Sequence, residues 1–124
     1  MEFLTYVADI MPALLKGLAV TLKLFGYTVI CALPLGLIVS LMSISKIYPI
    51  KWLAKIYILV LRGTPLMLQL FFVYFILPRV GITLDRFDSA AAAFIMNYAA
   101  YFAEIYRGGI ESVDHGQYDA AKAL

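Results

Sequence analysis

Between Leu24 and Ser45 the chain carries 22 consecutive residues without a charge. A helix of that length, rising about 1.5 Å per residue, crosses the roughly 30 Å hydrocarbon layer of a bilayer. An isolated segment in lipid must satisfy its own backbone hydrogen bonds, which leaves the helix as its only regular form. Two further runs have the same character. Ile56 to Pro78 contains one charge, Arg62, and Ser89 to Tyr106 contains one, Glu104. With 64% hydrophobic residues and a mean hydropathy of +0.90, the composition is that of a membrane protein and not of a soluble domain. The expected fold is all-α and polytopic, with transmembrane helices over 24–45, 56–78 and 89–107, an interfacial lead-in over 1–23 and a cytoplasmic segment over 110–124.

Orientation follows from where the basic residues lie. Lys46, Lys51 and Lys55 cluster in the first connection without an acid, whereas Arg79 and Arg86 in the second are balanced by Asp85 and Asp88. The positive-inside rule puts the first connection in the cytoplasm, the N-terminus outside, and the tail after Arg107 in the cytoplasm. Glu2 and Asp9 leave no basic n-region, so a removable signal peptide is not expected. Lys16 and Lys23 can snorkel from the apolar lead-in.

Several function classes are excluded. The single Cys31 permits no internal disulfide, and the single His115, next to Asp114, has no third ligand in view, so it reads as a turn residue. There is no glycine-rich nucleotide loop and no nucleophile paired with a base, so the chain is not read as an enzyme and no cofactor is expected. A net charge of +2 gives no reason to invoke nucleic acid.

Within the first helix, Thr28, Ala32, Gly36 and Ser40 recur every fourth residue, a stripe on which another helix can pack closely. Pro34 predicts a bend there. In the second helix, Arg62-Gly63-Thr64-Pro65 combines a cation with helix-weakening residues. An arginine facing lipid costs about 2.5–3.5 kcal/mol on insertion scales, so Arg62 must face protein or water. At about 100° per residue Lys55, Arg62 and Gln69 share one face, while Thr64 falls opposite, free to bond back to a helix carbonyl. The third helix sets Asn97, Tyr101 and Glu104 at i, i+4 and i+7 on a face shared with Ala90, Ala93 and Gly108. An amide, a phenol and a carboxylate among small residues fit the lining of a polar path, with Asn97 the favoured ligand contact. Equally open is a pairing of Glu104 with Arg62 or Arg107 that only holds the helices together.

Two stretches add a resemblance. Ala103-Glu104-Ile105-Tyr106-Arg107-Gly108-Gly109-Ile110-Glu111-Ser112-Val113, continued by Gly116-Gln117-Tyr118-Asp119-Ala120-Ala121-Lys122-Ala123-Leu124, resembles the Glu-Ala-Ala cytoplasmic loop of the membrane-spanning subunits of ATP-binding-cassette importers. Arg62-Gly63-Thr64-Pro65 followed by Gln69 resembles a signature of the subfamily that imports polar amino acids, the histidine/glutamine-type permeases. The two signatures stand about forty residues apart. Asp119 departs from the usual glutamate, keeping the acid on a shorter arm.

This resemblance implies a permease subunit that forms the translocation pathway of an ATP-driven importer of the bacterial inner membrane and works by alternating access. It implies a substrate pathway through Asn97, Tyr101, Glu104, Arg62 and Gln69, and a coupling helix with Gly116, Gln117, Asp119, Ala120 and Ala121 against the ATPase. The implied partners are a cytosolic ATP-binding subunit, a second permease subunit (a copy or a close relative), an extracytoplasmic substrate-binding protein and an amino-acid substrate. The family has a five-helix core and its motif runs one glycine beyond Leu124, so the chain is expected to be the N-terminal part of a longer subunit. Two readings from other classes stand beside it: a non-transporting membrane scaffold, with Arg62, Asn97 and Glu104 as interhelical glue, and a passive channel subunit.

Overall fold

The computed structural model describes residues 1–124, and all regular structure in it is helical. Helix α1 spans Glu2–Ser43, α2 Tyr48–Gly63, α3 Leu66–Phe71, α4 Arg86–Glu111 and α5 His115–Ala123. Beyond α3 the chain continues as a wider π-helical turn, Phe72–Ile76, and a tighter 3-10 turn, Leu77–Val80. Gly81 ends that run at φ 92°, a left-handed conformation open to a residue without Cβ.

The lead-in expected over 1–23 is not a separate element. Helix α1 has 42 residues, about 63 Å of helix, twice the thickness of a hydrocarbon core. It passes through Pro12 and Pro34 without ending, because each proline removes only one N–H and the turns on either side hold the helix. Residues up to Tyr27 are almost all exposed, whereas Thr28, Ala32, Gly36 and Ser40 are all buried. This stripe and the small residues of α4 make the largest helix–helix contact of the chain, α1 on α4. A Cβ added to Gly36 would lie 2.7 Å from the Phe102 Cβ and 3.0 Å from the Ala99 carbonyl oxygen, so only glycine lets the two backbones approach this closely.

The second expected helix differs more. Its start moves back to Tyr48, where Pro49 in the first turn is pre-set for helix and lacks only an N–H that would have gone unused. Lys51 and Lys55 therefore stand on α2 itself, not in a connection. Its continuity also fails: Thr64 and Pro65 are extended, and the axis turns by 107° between Tyr48–Gly63 and Leu66–Val80. Pro65 both lacks the N–H that would continue the ladder and pushes Thr64 out of the helical region.

By length and composition α1 is long and apolar enough to cross a membrane, and the bent pair passes the same test taken as one broken span. Helix α4, at 26 residues, is long enough, but Asn97, Glu104, Tyr98, Tyr101, Tyr106 and its charged ends lower its hydropathy. Around Val39, Ala54, Ile58 and Ala103, helices α1, α2 and α4 share a small apolar core, flanked by Leu35, Met42 and Tyr57.

Candidate functional site

Arg62 lies in the last turn of α2, just before the break, and α4 presents Tyr101 and Glu104 to it. Its Nη1 is 3.6 Å from Glu104 Oε2, and its guanidinium carbon lies 5.4 Å from the centre of the Tyr101 ring. The cation expected to need a partner has two, a carboxylate and an aromatic face. Glu104 is more closely held from its own helix. Arg107 donates from Nε to Oε1 at 3.1 Å and from Nη2 to Oε2 at 2.8 Å, and its Nη1 donates to Glu111 Oε2 at 2.7 Å. Both Glu104 oxygens thus accept from Arg107 in a two-pronged pair, the strong form of such contacts. Arg62 is left with the looser share and a side chain 44% exposed.

These residues border an open cleft of ≈ 450 Å³ lined by Lys55, Ile58, Leu59, Arg62, Gly63, Tyr101 and Glu104. Two cations of the lining, Lys55 and Arg62, stand against one carboxylate, Glu104, while the Arg107–Glu111 pair behind it adds no net charge. The local balance leaves one positive charge that an anionic group can answer.

Not every candidate residue joins them. Asn97 shares a helical face with Tyr101 and Glu104, as its spacing requires, yet it is 4% exposed and lies outside the cleft. The Tyr57 hydroxyl of α2 donates to the Met96 carbonyl, drawing α2 onto α4 at the level of Asn97. At Tyr101, one turn further along, the cleft opens. Gln69 is separated from Lys55 and Arg62 by the break, so the single polar face expected along 55–69 does not extend to it. Its Nε2 instead donates to the carbonyl of Leu61 at 2.9 Å and to Thr64 Oγ1 at 2.8 Å. The Thr64 hydroxyl donates back to the Val60 carbonyl at 2.8 Å, the bond its position suggested. Two contributors went unforeseen, Tyr57 and the pairing of Glu111 with Arg107. The i, i+4 spacing of Arg107 and Glu111 was the available signal for the second, and nothing local marked Tyr57.

Gly116, Gln117, Asp119, Ala120 and Ala121 all lie on α5, all exposed. The helix starts at His115, where the Asp114 side chain caps it by accepting from the Gly116 N–H at 3.4 Å. His115 is thus a helical residue, its ring 6.4 Å from that of Tyr118. Helix α5 packs on no other element of the chain.

Comparison with known proteins places this arrangement. Residues 32–124 match the family described as binding-protein-dependent transport system inner membrane component. The chain belongs to that family. Among curated relatives of this inner membrane component family, it is 48% identical over 114 residues to the arginine transport system permease protein ArtQ of Bacillus subtilis, covering 91% of this chain and 52% of the relative. It is 40% identical over 113 residues to the L-cystine transport system permease protein TcyB of the same organism, covering 91% and 48%. With the glutamate/aspartate import permease protein GltK of Escherichia coli the identity is 38% over 122 residues, covering 92% and 54%. A solved structure, described as the crystal structure of an amino acid ABC transporter with histidines, superposes with a TM-score of 0.89 at 42% identity, covering all of this chain and 57% of that one. The chain spans about half the length of the curated relatives it matches.

Proposed function

We propose that the protein is part of a permease subunit of an ATP-driven amino-acid importer, contributing one wall of the translocation pathway. The observation that carries this reading is the cleft: Arg62, Tyr101 and Glu104 meet at an opening beside a broken helix, in a chain whose other interhelical contacts are made mostly of small and apolar side chains. The family's relatives support it, since those described above carry names of arginine, cystine and glutamate/aspartate transport. An amino acid presents a carboxylate and an ammonium at every passage; the exposed Arg62 guanidinium suits the first and the Tyr101 ring face the second. Of the five candidate pathway residues, Arg62, Tyr101 and Glu104 take the substrate-facing role, Asn97 supports the helix packing and Gln69 the break.

In this reading α1, the broken α2–α3 span and α4 are three transmembrane segments of a five-helix core, multi-pass in the bacterial inner membrane, with the N-terminus outside. Its ATP hydrolysis resides on a separate cytosolic subunit that docks on α5 through Gly116, Gln117, Asp119, Ala120 and Ala121. The exposure of α5 and its lack of any partner within the chain favour such a dock. A second permease subunit completes the pathway, and an extracytoplasmic binding protein delivers the amino acid.

The test is uptake of radiolabelled amino acids by the full-length subunit reconstituted with its ATP-binding partner and binding protein, for the original protein and for Arg62→Gln, Glu104→Gln and Asn97→Leu at equal assembly. ATP-dependent uptake lost in Arg62→Gln and kept in Asn97→Leu supports the assignment. Uptake indifferent to Arg62 and Glu104 removes them from the path. Failure to take up any amino acid with ATP would return the chain to the scaffold reading, and flux without ATP to the channel.

A further inference from the structure

The break between α2 and α3 opens a gap in the helix's own hydrogen bonding, and one side chain fills it. In an unbroken helix the N–H of residue 65 donates to the carbonyl of Leu61, and that of Thr64 to the carbonyl of Val60. Pro65 has no N–H, and Thr64 is extended, so both carbonyls lose their partners. Each is recovered by a side chain. The Thr64 hydroxyl donates to the Val60 carbonyl at 2.8 Å, and Gln69 Nε2 donates to the Leu61 carbonyl at 2.9 Å.

Gln69 reaches further than one carbonyl. The same Nε2 is 2.8 Å from Thr64 Oγ1 and 3.3 Å from the Thr64 carbonyl, so three oxygens of the end of α2 and the break converge on one amide nitrogen. That convergence fixes the amide's orientation, because the reversed assignment would press Oε1 against three acceptors. The Gln69 backbone N–H meanwhile donates to the Pro65 carbonyl at 3.3 Å, in the first turn of α3. One residue is therefore bonded to both sides of a 107° turn. Its Oε1 is buried and unpartnered, so neither end of the amide is offered to a passing molecule.

We propose that Gln69 is a positioning residue, a clamp that sets the direction of α3 against α2 and so the shape of the wall beside Arg62, without touching the transported molecule. Its part in turnover rests on the importer reading; the clamp itself rests on the hydrogen bonds. A substrate contact and a clamp differ in what Pro65 does to them. With a residue carrying an N–H at position 65, α2 gains the bond it needs to run on into α3, and Gln69 is then the one side chain that still ties α3 back to α2, beside the packing of α3 on α4.

The experiment uses the full-length subunit assembled with its ATP-binding partner in lipid nanodiscs, with Cys31→Ser and spin labels at Leu53→Cys on α2 and Phe75→Cys beyond the break. Both label positions are exposed. Pulsed electron paramagnetic resonance reads the distance, and uptake kinetics are measured on unlabelled protein. Gln69→Leu and Gln69→Glu, which both remove the donors, are expected to broaden or shift the distance distribution and to lower kcat roughly tenfold with KM held within about twofold. Pro65→Ala alone should leave the distance near its original value, and Pro65→Ala with Gln69→Leu should move it to a longer one. An unchanged distribution in both Gln69 variants overturns the clamp, and so does a raised KM at constant kcat, which would put Gln69 on the substrate. If the original protein takes up nothing, the importer reading fails while the distances still decide the clamp.

Discussion

The two sides of α4 are built on opposite principles. Against α1 it packs small residues on small residues, with Gly36 set where a single methyl group would collide with Phe102. Against α2 a small apolar core at Ala54, Ile58 and Ala103 is joined by polar ties: a hydroxyl on a carbonyl, an arginine over a phenol ring and a carboxylate that Arg62 of α2 shares with Arg107 of α4 itself. Close packing of this kind has one good arrangement and resists being sheared. Charged groups with exposed flanks can exchange partners at little cost, because a second cation stands ready when the first leaves. The chain thus joins a fixed seam to an adjustable one along a single helix.

Gly36→Val should damage the fixed seam most. Forcing a branched side chain against Phe102 and the Ala99 carbonyl is expected to destabilise the subunit by about 1–3 kcal/mol or more, read as lost monodispersity and a lower melting temperature in detergent. Gly36→Ala should fall between it and the original protein. Next comes Glu104→Gln, which leaves Arg62 and Arg107 facing each other without their shared acid. With a side chain one-quarter exposed, the expected cost is about 1–2 kcal/mol, discounted for solvent screening. Glu104→Asp, with a shorter arm, should recover part of it. Tyr57→Phe deletes one hydrogen bond between α2 and α4 and should cost about 0.5–1.5 kcal/mol, measurable in the same melts. Should Tyr57→Phe outweigh Gly36→Val, the contrast between the two seams is misdrawn. At the bottom stands Asp119→Lys on the free α5, expected to change stability by no more than about 0.5 kcal/mol. It should nevertheless uncouple ATP hydrolysis from uptake, and intact coupling would count against the dock.

The sequence was most legible where a pattern repeats. The spacing of Thr28, Ala32, Gly36 and Ser40 identified the buried face of α1 because helical periodicity alone decides which residues share a side. The uncharged runs located the apolar segments, and Thr64 announced its own back-bond. Periodicity failed where the backbone stops being periodic. Placing Lys55, Arg62 and Gln69 on one stripe assumed a straight helix through Gly63-Thr64-Pro65, and the 107° turn separates what the wheel aligned. Asn97 illustrates a different gap: its face was read correctly, but whether that face is covered depends on how the neighbouring helices pack against α4. Register between helices is a tertiary property that a single helical wheel does not contain. The start of α2 at Tyr48 was within reach, since Pro49 is a recognisable first-turn residue.

Between α4 and α5 stand three residues, Ser112, Val113 and Asp114, enough to span only about 10 Å when fully drawn out. They are not drawn out: the N–H groups of Ser112 and Val113 donate back to Gly108 and Ile110, and that of Gln117 donates to Asp114. There is therefore almost no slack between the end of one helix and the beginning of the next. Whatever seizes α5 and displaces it by more than a few ångströms must either unravel those bonds or drag the end of α4 along. The first residues to feel that tug are Glu111, Arg107 and Glu104, a ladder of charges already poised on the adjustable seam.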